Sequence, residues 1–470
     1  MQKTKIIATL GPACEDVKTI HKMLLSGLSV FRINSSHTQN ITHIKNTVKS
    51  IRQEAQKLDK PISVIMDLGG PKIRVSLPKN NQSITIIKNT KYRLGFKKYE
   101  IPLNTKINVL KFKKNATIKI DDGKLNFKVL KIANNHIVAQ SLNGGRITNN
   151  KGVNFPNLKL QLPAVTNQDK TNVQLAVDLG VDWIAQSFVR QPTNIYPIQR
   201  ILLKNKTNIP IIAKIETSDA IKNLDSILMK YDGILIARGD LGVEMELSSI
   251  PKLQKQIINQ CIYHKKPCIV ATQMLESMIK SDTPTRAEVN DVANAIYDGV
   301  DAIMLSAETA IGHYPVEAVE MMSNISANIE ADLDASNFNR NIIDSLSTSI
   351  TNNYLAICHA AYSIAKDLDL QIIAVLTDSG KTAIQLAQFR PNATIVAFTP
   401  HQKTCNLLSI IWGVVPVYTK QPSNINGLYS LVNKILIKKN LIQSGKFFLI
   451  TSGILKIKNS TNMLQIYQSK

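Results

Sequence analysis

Short apolar runs rich in β-branched residues alternate with longer amphipathic stretches over the first two thirds of the chain. The eight runs are KIIATL from residue 5, VFRIN from 30, ISVIMDL from 62, WIAQSF from 183, IIAKIE from 211, GILIARGD from 233, CIVATQ from 268 and AIMLSAET from 302. Strands separated by helices are typical of parallel βαβ units. Eight such units predict an α/β fold built on a closed (β/α)₈ barrel.

Two regions depart from this alternation. Between the third and fourth runs the pattern changes to short strands broken by turns, as in IKIDDGKLNF, which predicts an all-β insertion. Beyond about residue 340 a second series of helices and strands predicts a separate open α/β domain. We therefore expect a barrel from residues 1–70 and 153–340, an insertion at 71–152 and a C-terminal domain at 341–470.

Composition favours a soluble, cytoplasmic protein. Apolar residues make up 44% of the chain without forming a membrane-length run. The N-terminal MQKTKIIATLGPAC enters a strand pattern at once and leaves no room for a signal peptide. The five cysteines are scattered and never spaced as CxxC, so we expect reduced packing residues rather than disulfides or a zinc site.

The net charge of +23 would favour anionic partners, such as nucleotides, phosphorylated metabolites or nucleic acid. Lysine, asparagine and isoleucine are abundant along the whole chain, however. A compositional bias of the source therefore explains most of the excess equally well.

Polar residues stand where the predicted barrel strands end. They are Arg32, Asn34, Asp67, Ser187, Lys214, Glu216, Asp240, Thr272 and Glu308. Active sites of such barrels lie at the carboxyl ends of the strands, because the loops there surround a pocket. We expect these side chains to converge on one mouth, although each alone could have a structural role.

Lys214 and Glu216 are two positions apart on a strand, so both should point to the same side, as should Arg32 and Asn34. Glu216 and Asp240 offer two carboxylates to a hard cation such as Mg²⁺. The alternative is a structural ion pair between Lys214 and Glu216, with Asp240 an ordinary turn residue.

In the C-terminal domain, the segment TDSGKT joins a strand to a helix. Its backbone N–H groups could bind a phosphate, and Thr377, Ser379, Gly380 and Thr382 are the candidate residues. A plain strand-to-helix turn is as good an explanation, because the full phosphate-binding loop spacing is missing.

At these positions the sequence resembles the pyruvate kinases along nearly its whole length. The matching segments are TKIIATLGPAC, FRINSSH, DLGGPKIR, KGVNFP, LPAVTNQDK, IAQSFVR, IIAKIET, ARGDLGVE, ATQMLESM, TPTRAEVNDVANAIYDG and MLSAETAIGHYPVEAV. The resemblance implies a catalytic barrel with an inserted small β-barrel lid domain, and a C-terminal α/β regulatory domain. It also implies a cytoplasmic homotetramer that transfers phosphate from phosphoenolpyruvate to ADP in the last step of glycolysis.

The resemblance also implies roles for individual residues. Arg32 and Lys214 would contact the transferred phosphoryl group, with Ser187 beside them, and Glu216 and Asp240 would hold Mg²⁺ or Mn²⁺. The substrate carboxylate would lie at Gly239 and Asp240, and Thr272 near the carbon that gains a proton. The nucleotide-binding residues would be Asn34, His37, Arg74 and Lys151. A monovalent cation site would comprise Asn34, Ser36, Asp67 and Leu68.

The sequence departs from the family pattern in three places. Ser35 replaces a phenylalanine, which should affect local packing only. Family members that need K⁺ usually carry Thr and Glu where this chain has Leu68 and Lys72, so the Lys72 ammonium could replace the cation and allow activity without K⁺. In the effector loop Ile457 and Asn459 stand where glycine is frequent, which argues against activation by sugar phosphates.

Three other functions fit parts of the sequence. A metal-dependent lyase or aldolase on a similar barrel would leave the insertion, Arg74 and Lys151 without a role. A nucleic-acid binder would use KFKK at 111–114 and KNTKYR at 88–93 and would bind less tightly as salt rises. A catalytically dead homologue is the third, although the catalytic candidates are all present. We expect neither nucleic acid nor membrane as a partner.

Overall fold

The computed structural model describes residues 2–37, 40–78, 83–156, 158, 162–332, 353–420, 425–453 and 461–470. Its largest sheet is a closed barrel of eight parallel strands. Numbered along the whole chain, these are β1 Lys5–Thr9, β2 Val30–Asn34, β3 Ser63–Asp67, β12 Trp183–Gln186, β13 Ile211–Ile215, β14 Gly233–Ala237, β15 Cys268–Ala271 and β16 Ala302–Leu305. They pair in the order β1-β16-β15-β14-β13-β12-β3-β2. Each of the eight predicted runs supplies one strand, so the predicted barrel is confirmed.

Helices lie between successive barrel strands and after the last of them, β16. They are α1 Val17–Leu25, α2 Ile41–Lys57, α3 Asn167–Leu179, α4 Tyr196–Lys204, α5 Ser218–Lys222, α6 Leu224–Lys230, α7 Arg238–Glu244, α8 Ile250–Tyr263, α9 Arg286–Asp298, α10 Ala307–Ala310 and α11 Pro315–Asp332. Short 3₁₀ turns occur at Ser35–His37, Val109–Lys111, Pro192–Ile195, Leu247–Ser249 and Glu276–Ile279. Helices α3 and α9 begin with capping boxes at Thr166 and Thr285 and end at left-handed Gly180 and Gly299, which fixes their ends locally.

The insertion between β3 and α3 consists of β-strands with one 3₁₀ turn at Val109–Lys111 in its described part, and it has its own apolar core. Its strands are β4 Ser83–Ile86, β5 Lys91–Phe96, β6 Ile101–Leu103, β7 Thr117–Ile120, β8 Leu125–Ile132, β9 His136–Ser141, β10 Gly145–Thr148 and β11 Val153–Asn154. They form a pair, β10-β4, and a six-stranded sheet in the order β11-β7-β8-β9-β5-β6. The predicted turn at Asp121, Asp122 and Gly123 joins β7 to β8, and all three residues have positive φ.

The C-terminal part is an open α/β sheet. Its elements are α12 Asn353–Asp367, β17 Ile372–Leu376, α13 Lys381–Ala387, β18 Thr394–Thr399, α14 Gln402–Leu408, β19 Val414–Tyr418, α15 Ile425–Lys438, β20 Phe447–Gly453 and β21 Thr461–Gln468. The strand order is β19-β18-β17-β20-β21, with β21 antiparallel to β20. This sheet packs at the amino-terminal end of the barrel, where Trp183 Nε1 donates to the Leu407 carbonyl at 3.2 Å.

The three predicted bodies are therefore present, and the five cysteines are buried and free of disulfides, as expected. Strand β11 pairs with β7 of the insertion, so the insertion sheet continues to Asn154. The boundaries expected after residues 70 and 152 stay predictions, and the one expected after 340 lies outside the described residues. None of the described helices is long and apolar enough to cross a membrane.

Candidate active site at the barrel mouth

Neighbouring strands of the barrel bring the predicted polar residues to one end. In the sheet register Asn34 lies opposite Asp67, and Asp67 lies opposite Ala185, two positions before Ser187. Strand β13 follows β12 in the barrel and carries Lys214. Glu216 is the first residue after this strand. Because all these strands run parallel, their carboxyl ends meet at the same mouth. The convergence expected from the sequence is present.

The Lys214 ammonium lies at the centre of a buried charged cluster. Its Nζ is 3.2 Å from Asp67 Oδ1 and 3.0 Å from Glu216 Oε1, and it donates to Ser187 Oγ at 2.8 Å. Burial opposes the charge, but Asp67 and Glu216 raise the pKa of Lys214 well above its usual value. Lys214 is therefore a fixed cation inside the barrel.

The two carboxylates beside Lys214 respond differently to burial. Burial would raise the pKa of Asp67, but the charges of Lys214 and Arg32 hold that pKa below its usual value. Burial raises the pKa of Glu216, against the lowering effect of Lys214. Of these two carboxylates Glu216 therefore gains more from another positive charge, because among the described residues it is paired with Lys214 alone and Asp240 raises its pKa further.

All three nitrogens of the Arg32 guanidinium make contacts, and the terminal nitrogen Nη2 lies 2.7 Å from Asp67 Oδ2. Its Nε donates to Asp67 Oδ2 at 2.7 Å, and one terminal nitrogen donates to Thr9 Oγ1 at 3.0 Å. Only 12% of the side chain is exposed. These contacts leave Arg32 few rotamers, which suits a residue that must meet an anion in one orientation.

The structure corrects the sequence-based placement of Asp240 and Glu308. Asp240 does not close strand β14, which ends at Ala237, but lies in the first turn of α7. Glu308 lies in α10 and is buried, and its carboxylate accepts from the main-chain N–H groups of Ser306 and Leu275. The chain leaves both strands earlier than the apolar pattern suggested, because helical turns start immediately.

Lys72 reaches from the start of the insertion to Asp240. Its Nζ lies 2.7 Å from Asp240 Oδ1, and both side chains are about one-fifth exposed. The sequence linked Lys72 to the monovalent cation site and Asp240 to Mg²⁺. The contact therefore joins residues of two predicted cation sites. In this structure the Asp240 carboxylate therefore already faces one positive charge.

Thr272 follows β15 in an uncommon backbone conformation, with φ at 73°. Its hydroxyl accepts from the Gly239 N–H at 2.8 Å and donates to the Ala271 carbonyl at 2.6 Å. The sequence analysis placed the substrate carboxylate at Gly239 and the protonated carbon near Thr272. A hydrogen bond joins these two residues. The structure brings these two predicted parts of the site together.

The predicted nucleotide residues are spread over the barrel mouth and the insertion. Lys151 pairs with Asp121 Oδ1 at 2.8 Å, and Arg74 donates to the Asn150 carbonyl at 2.8 Å. Arg74 forms an antiparallel β-bridge with Gly152, so Arg74 and Lys151 lie on adjacent backbone segments. Asn34 accepts from the Ser36 N–H at 3.2 Å. The side chain of His37 lies outside the described part of the chain.

A cleft of about 1320 Å³ opens between the insertion and the barrel mouth. It is lined from the insertion by Lys72, Thr117, Lys119, Asp122, Gly123 and Asn126, and from the barrel by residues that include Arg238, Gly239, Asp240, Thr272 and Glu308. Lys119 Nζ donates to the Val243 carbonyl at 2.7 Å, so the two walls touch. Sequence reasoning missed Lys119 and Arg238. An arginine directly after the sixth strand was the available signal for Arg238.

The donor set suits a metal that takes few protein ligands. Among the described residues, no group of three or more His, Cys, Asp and Glu side chains could hold a metal ion. Glu216 and Asp240 offer two hard carboxylates, which fits Mg²⁺, since Mg²⁺ usually keeps waters and takes substrate oxygens as well. Glu216 Oε2 also accepts from the Phe188 N–H at 2.8 Å, which fixes the carboxylate.

In the C-terminal domain the predicted phosphate turn is largely occupied by its own contacts. The Gly380 N–H donates to Thr377 Oγ1 at 2.9 Å, and the Thr382 hydroxyl lies 2.9 Å from that of Thr461. Ser379 lines a separate cleft between this domain and the barrel. Ile457 and Asn459 of the effector loop lie outside the described residues.

The fold and this site together define a class of protein. A (β/α)₈ barrel with a lysine, an arginine and two carboxylates at its mouth, under an inserted β body, is typical of enzymes that act on phosphorylated anions with a hard metal ion.

Comparisons with known proteins name the family within that class. The family models "Pyruvate kinase, barrel domain" and "Pyruvate kinase, alpha/beta domain" match residues 1–319 and 355–467. Pyruvate kinases of Staphylococcus saprophyticus and Staphylococcus aureus are each 36% identical, over 99% of this chain and 80% of theirs. A crystal structure of a pyruvate kinase from Cryptosporidium parvum superposes with a TM-score of 0.92, at 32% identity, over 100% of this chain and 96% of that one.

The chain belongs to the pyruvate kinase family. The predicted family, fold class and phosphotransferase function are confirmed. Members of the family use a divalent metal ion and K⁺.

Proposed function

We propose that this chain moves the phosphoryl group of phosphoenolpyruvate onto ADP at the barrel mouth, with Lys214 as the central catalytic group. The observation that carries the proposal is the position of its ammonium among Asp67, Glu216 and Ser187. Phosphoryl transfer needs positioning and charge stabilisation more than a covalent nucleophile. A lysine kept charged inside the barrel supplies such stabilisation for the transferring oxygens and the departing enolate.

Arg32 binds the phosphate of the substrate in this proposal. Its contacts to Asp67 and Thr9 hold all three guanidinium nitrogens in one orientation. Arginine suits this role because its planar donors match phosphate oxygens. Ser187, which donates to the Leu68 carbonyl at 2.6 Å, supports the Lys214 ammonium from the neighbouring strand.

Glu216 and Asp240 would hold the divalent metal, Mg²⁺ or Mn²⁺. When bound, the metal would neutralise charge on the substrate oxygens. Main-chain Gly239 with Asp240 receives the substrate carboxylate at the start of α7, and the Thr272 hydroxyl or an ordered water beside it delivers the proton to the enolate carbon. The existing bond between Gly239 and Thr272 supports this by holding both ends of the substrate site in register.

Asn34, His37, Arg74 and Lys151 bind the phosphates of the nucleotide. In the present structure Lys151 and Arg74 are engaged by Asp121 and Asn150. Both contacts are solvent-accessible, so an incoming polyphosphate can compete for the two cations. The rival lyase or aldolase reaction gives these residues no comparable task.

We propose further that Lys72 replaces the monovalent cation. Asn34, Ser36, Asp67 and the Leu68 carbonyl match the positions of that site. Lys72 brings an ammonium group into the same mouth, 2.7 Å from Asp240. A neighbouring ammonium supplies the positive potential that K⁺ provides in relatives.

Pyruvate formation with Mg²⁺ in buffer free of monovalent activators, repeated with K⁺, tests these proposals together. We expect similar turnover in both buffers. For Lys72→Met we expect low activity that K⁺ partly restores, and Lys98→Met, an exposed lysine of the insertion, is the matched control. Wild-type activity only with K⁺ would refute the role of Lys72, and no activity in either buffer would refute the reaction.

Three lesser expectations remain predictions. The turn with Thr377, Ser379, Gly380 and Thr382 is proposed as a weak effector site without sugar-phosphate activation. The Gly380 N–H is already bonded to the Thr377 hydroxyl, and the Thr382 hydroxyl to that of Thr461. Titration of sugar phosphates and AMP against substrate affinity tests this, and strong activation would contradict it.

We also propose a cytoplasmic homotetramer, which sedimentation would check. The domain boundaries after residues 70, 152 and 340 are proposed as stated above.

A further inference from the structure

Arg238 joins three parts of the barrel mouth through one guanidinium. It is the first residue of α7, directly before Gly239 and Asp240. One terminal nitrogen donates to Asp291 Oδ1 of α9 at 2.7 Å. The other donates to the carbonyls of Thr272 at 2.7 Å and Gln273 at 3.3 Å. The remaining contacts are to Gln254 Oε1 at 3.4 Å and Met274 Sδ at 2.9 Å.

The turn that Arg238 holds has an uncommon backbone. Thr272 and Gln273 both lie in the left-handed region, with φ of 73° and 54°. A β-branched residue adopts this region rarely and keeps it only where its surroundings determine it. Here the surroundings include Arg238, which binds both carbonyls, and Gly239, whose N–H binds the Thr272 hydroxyl. Two consecutive residues therefore hold the turn by its main chain and its side chain.

The guanidinium is the group that this geometry requires. Only 10% of the side chain is exposed, and its charge is paired with Asp291. Arginine presents several donors in one plane, so it can bind a carboxylate and two carbonyls together. A lysine at the same position has a single nitrogen and no fixed plane, so it could not hold the carbonyls and Asp291 in the same arrangement.

We propose that Arg238 is a positioning residue for the proton-transfer step, which fixes the Thr272 hydroxyl relative to Gly239 and Asp240. This rests on the proposed function, in which the substrate carboxylate lies at Gly239 and Asp240 and the enolate carbon near Thr272. Arg238 acts through the Thr272 turn and not on the substrate. Its loss should impair proton delivery to the enolate far more than binding of phosphoenolpyruvate.

The test separates proton transfer from binding. In D₂O with Mg²⁺ and ATP, exchange of the pyruvate methyl hydrogens, followed by NMR, reports the proton-transfer step alone. We expect Arg238→Lys to slow this exchange by about 10²-fold, since small displacements of a catalytic group cost that much. Affinity for phosphoenolpyruvate, measured by equilibrium dialysis, should change by less than about threefold, as expected when uniform binding is retained.

Arg52→Lys is the matched control, because Arg52 also binds a carboxylate, that of Asp182, and a main-chain carbonyl, that of Ile62, but at the other end of the barrel. It should leave both readouts unchanged. If Arg238→Lys fails to fold, Asp291→Asn tests the same contact with Arg238 retained, and we expect a smaller loss of exchange. A loss of exchange equal to the loss of binding would overturn the positioning role. A wild-type chain that forms no pyruvate would overturn the proposed function, and this inference with it.

Discussion

Two lysines are buried to nearly the same extent at opposite ends of the barrel, and their surroundings differ. Lys214, 9% exposed, lies at the mouth beside Asp67 and Glu216. Lys5, 8% exposed, lies at the base, where its Nζ donates to the Val414 carbonyl at 2.8 Å. Neighbouring carboxylates raise the pKa of Lys214, whereas burial lowers the pKa of Lys5 to about 8.

The base contains a charged pair too, between Asp301 of the barrel and Arg390 of the C-terminal domain. Asp301 receives Arg390 on both carboxylate oxygens, at 3.2 and 3.0 Å, and also the Cys268 N–H at 3.0 Å. Arg390 stacks over Trp412, with 4.8 Å between its Cζ and the ring centroid. The charged pair at the base therefore joins the C-terminal domain to the barrel, whereas at the mouth the paired Lys72 and Asp240 line an open cleft.

The comparison teaches that burial alone does not identify a catalytic charge. What distinguishes the mouth is a lysine whose charge is favoured by two neighbouring carboxylates. In barrel enzymes the carboxyl ends of the strands carry function and the amino ends carry stability. Replacing a buried cation by methionine at each end should separate these two roles.

The largest expected effect is on turnover at the mouth. Lys214→Met removes the cation that offsets charge on the transferring phosphoryl group, so we expect the kcat for pyruvate formation to fall at least about 10³-fold. Far-UV circular dichroism should show the fold retained, since Arg32 still neutralises Asp67. A variant with more than about a tenth of wild-type turnover would refute the catalytic role of Lys214.

The second effect is on stability at the base. Arg390→Met leaves Asp301 buried without its counter-charge, so we expect unfolding to become easier by about 3–5 kcal/mol. Both tryptophans of the chain lie at this junction, Trp412 under Arg390 and Trp183 against Leu407, so their fluorescence during urea unfolding reports it directly. The kcat of folded enzyme should stay within about twofold of wild type. A collapse of kcat comparable to that of Lys214→Met would erase the distinction between the two ends.

The smallest effect depends on pH. Between pH 8 and 10.5 the folded chain releases the Lys5 proton while the unfolded chain still holds it, so stability gained from this group rises with pH. Below pH 8 both states hold the proton and the dependence vanishes. Relative to Lys5→Met, the wild-type free energy of unfolding should rise across this window by at most ~3 kcal/mol. If the difference in the free energy of unfolding between the two proteins is the same at pH 8 and at pH 10, the lowered pKa of Lys5 is contradicted.

Much of the site was predictable because strand ends are visible in the sequence. Arg32, Asp67, Lys214 and Glu216 end or follow apolar runs, and the parallel barrel brings such positions to one mouth. The period-two spacing of Lys214 and Glu216 also correctly predicted a shared face, since their charged atoms lie 3.0 Å apart.

Other features depended on turns that apolar periodicity does not encode. Asp240 was expected at a strand end and lies in a helix, because α7 begins immediately after Ala237. Glu308 was expected at the end of a strand and lies in α10, where its carboxylate accepts from the main-chain N–H groups of Ser306 and Leu275. The positive φ of Thr272 and the contacts of Arg238 come from residues distant in sequence, so no local pattern contains them.

By itself the sequence determined the eight strands, the all-β insertion, the C-terminal α/β domain and the set of residues gathered at the mouth. These follow from local periodicity and from the geometry of parallel strands, which act over short stretches of chain. Only the tertiary structure decided which lysine is held charged, which carboxylate binds Lys72 and which arginine holds the Thr272 turn. Each of these depends on the distance between groups that folding brings together, and electrostatic and hydrogen-bond energies vary steeply with that distance.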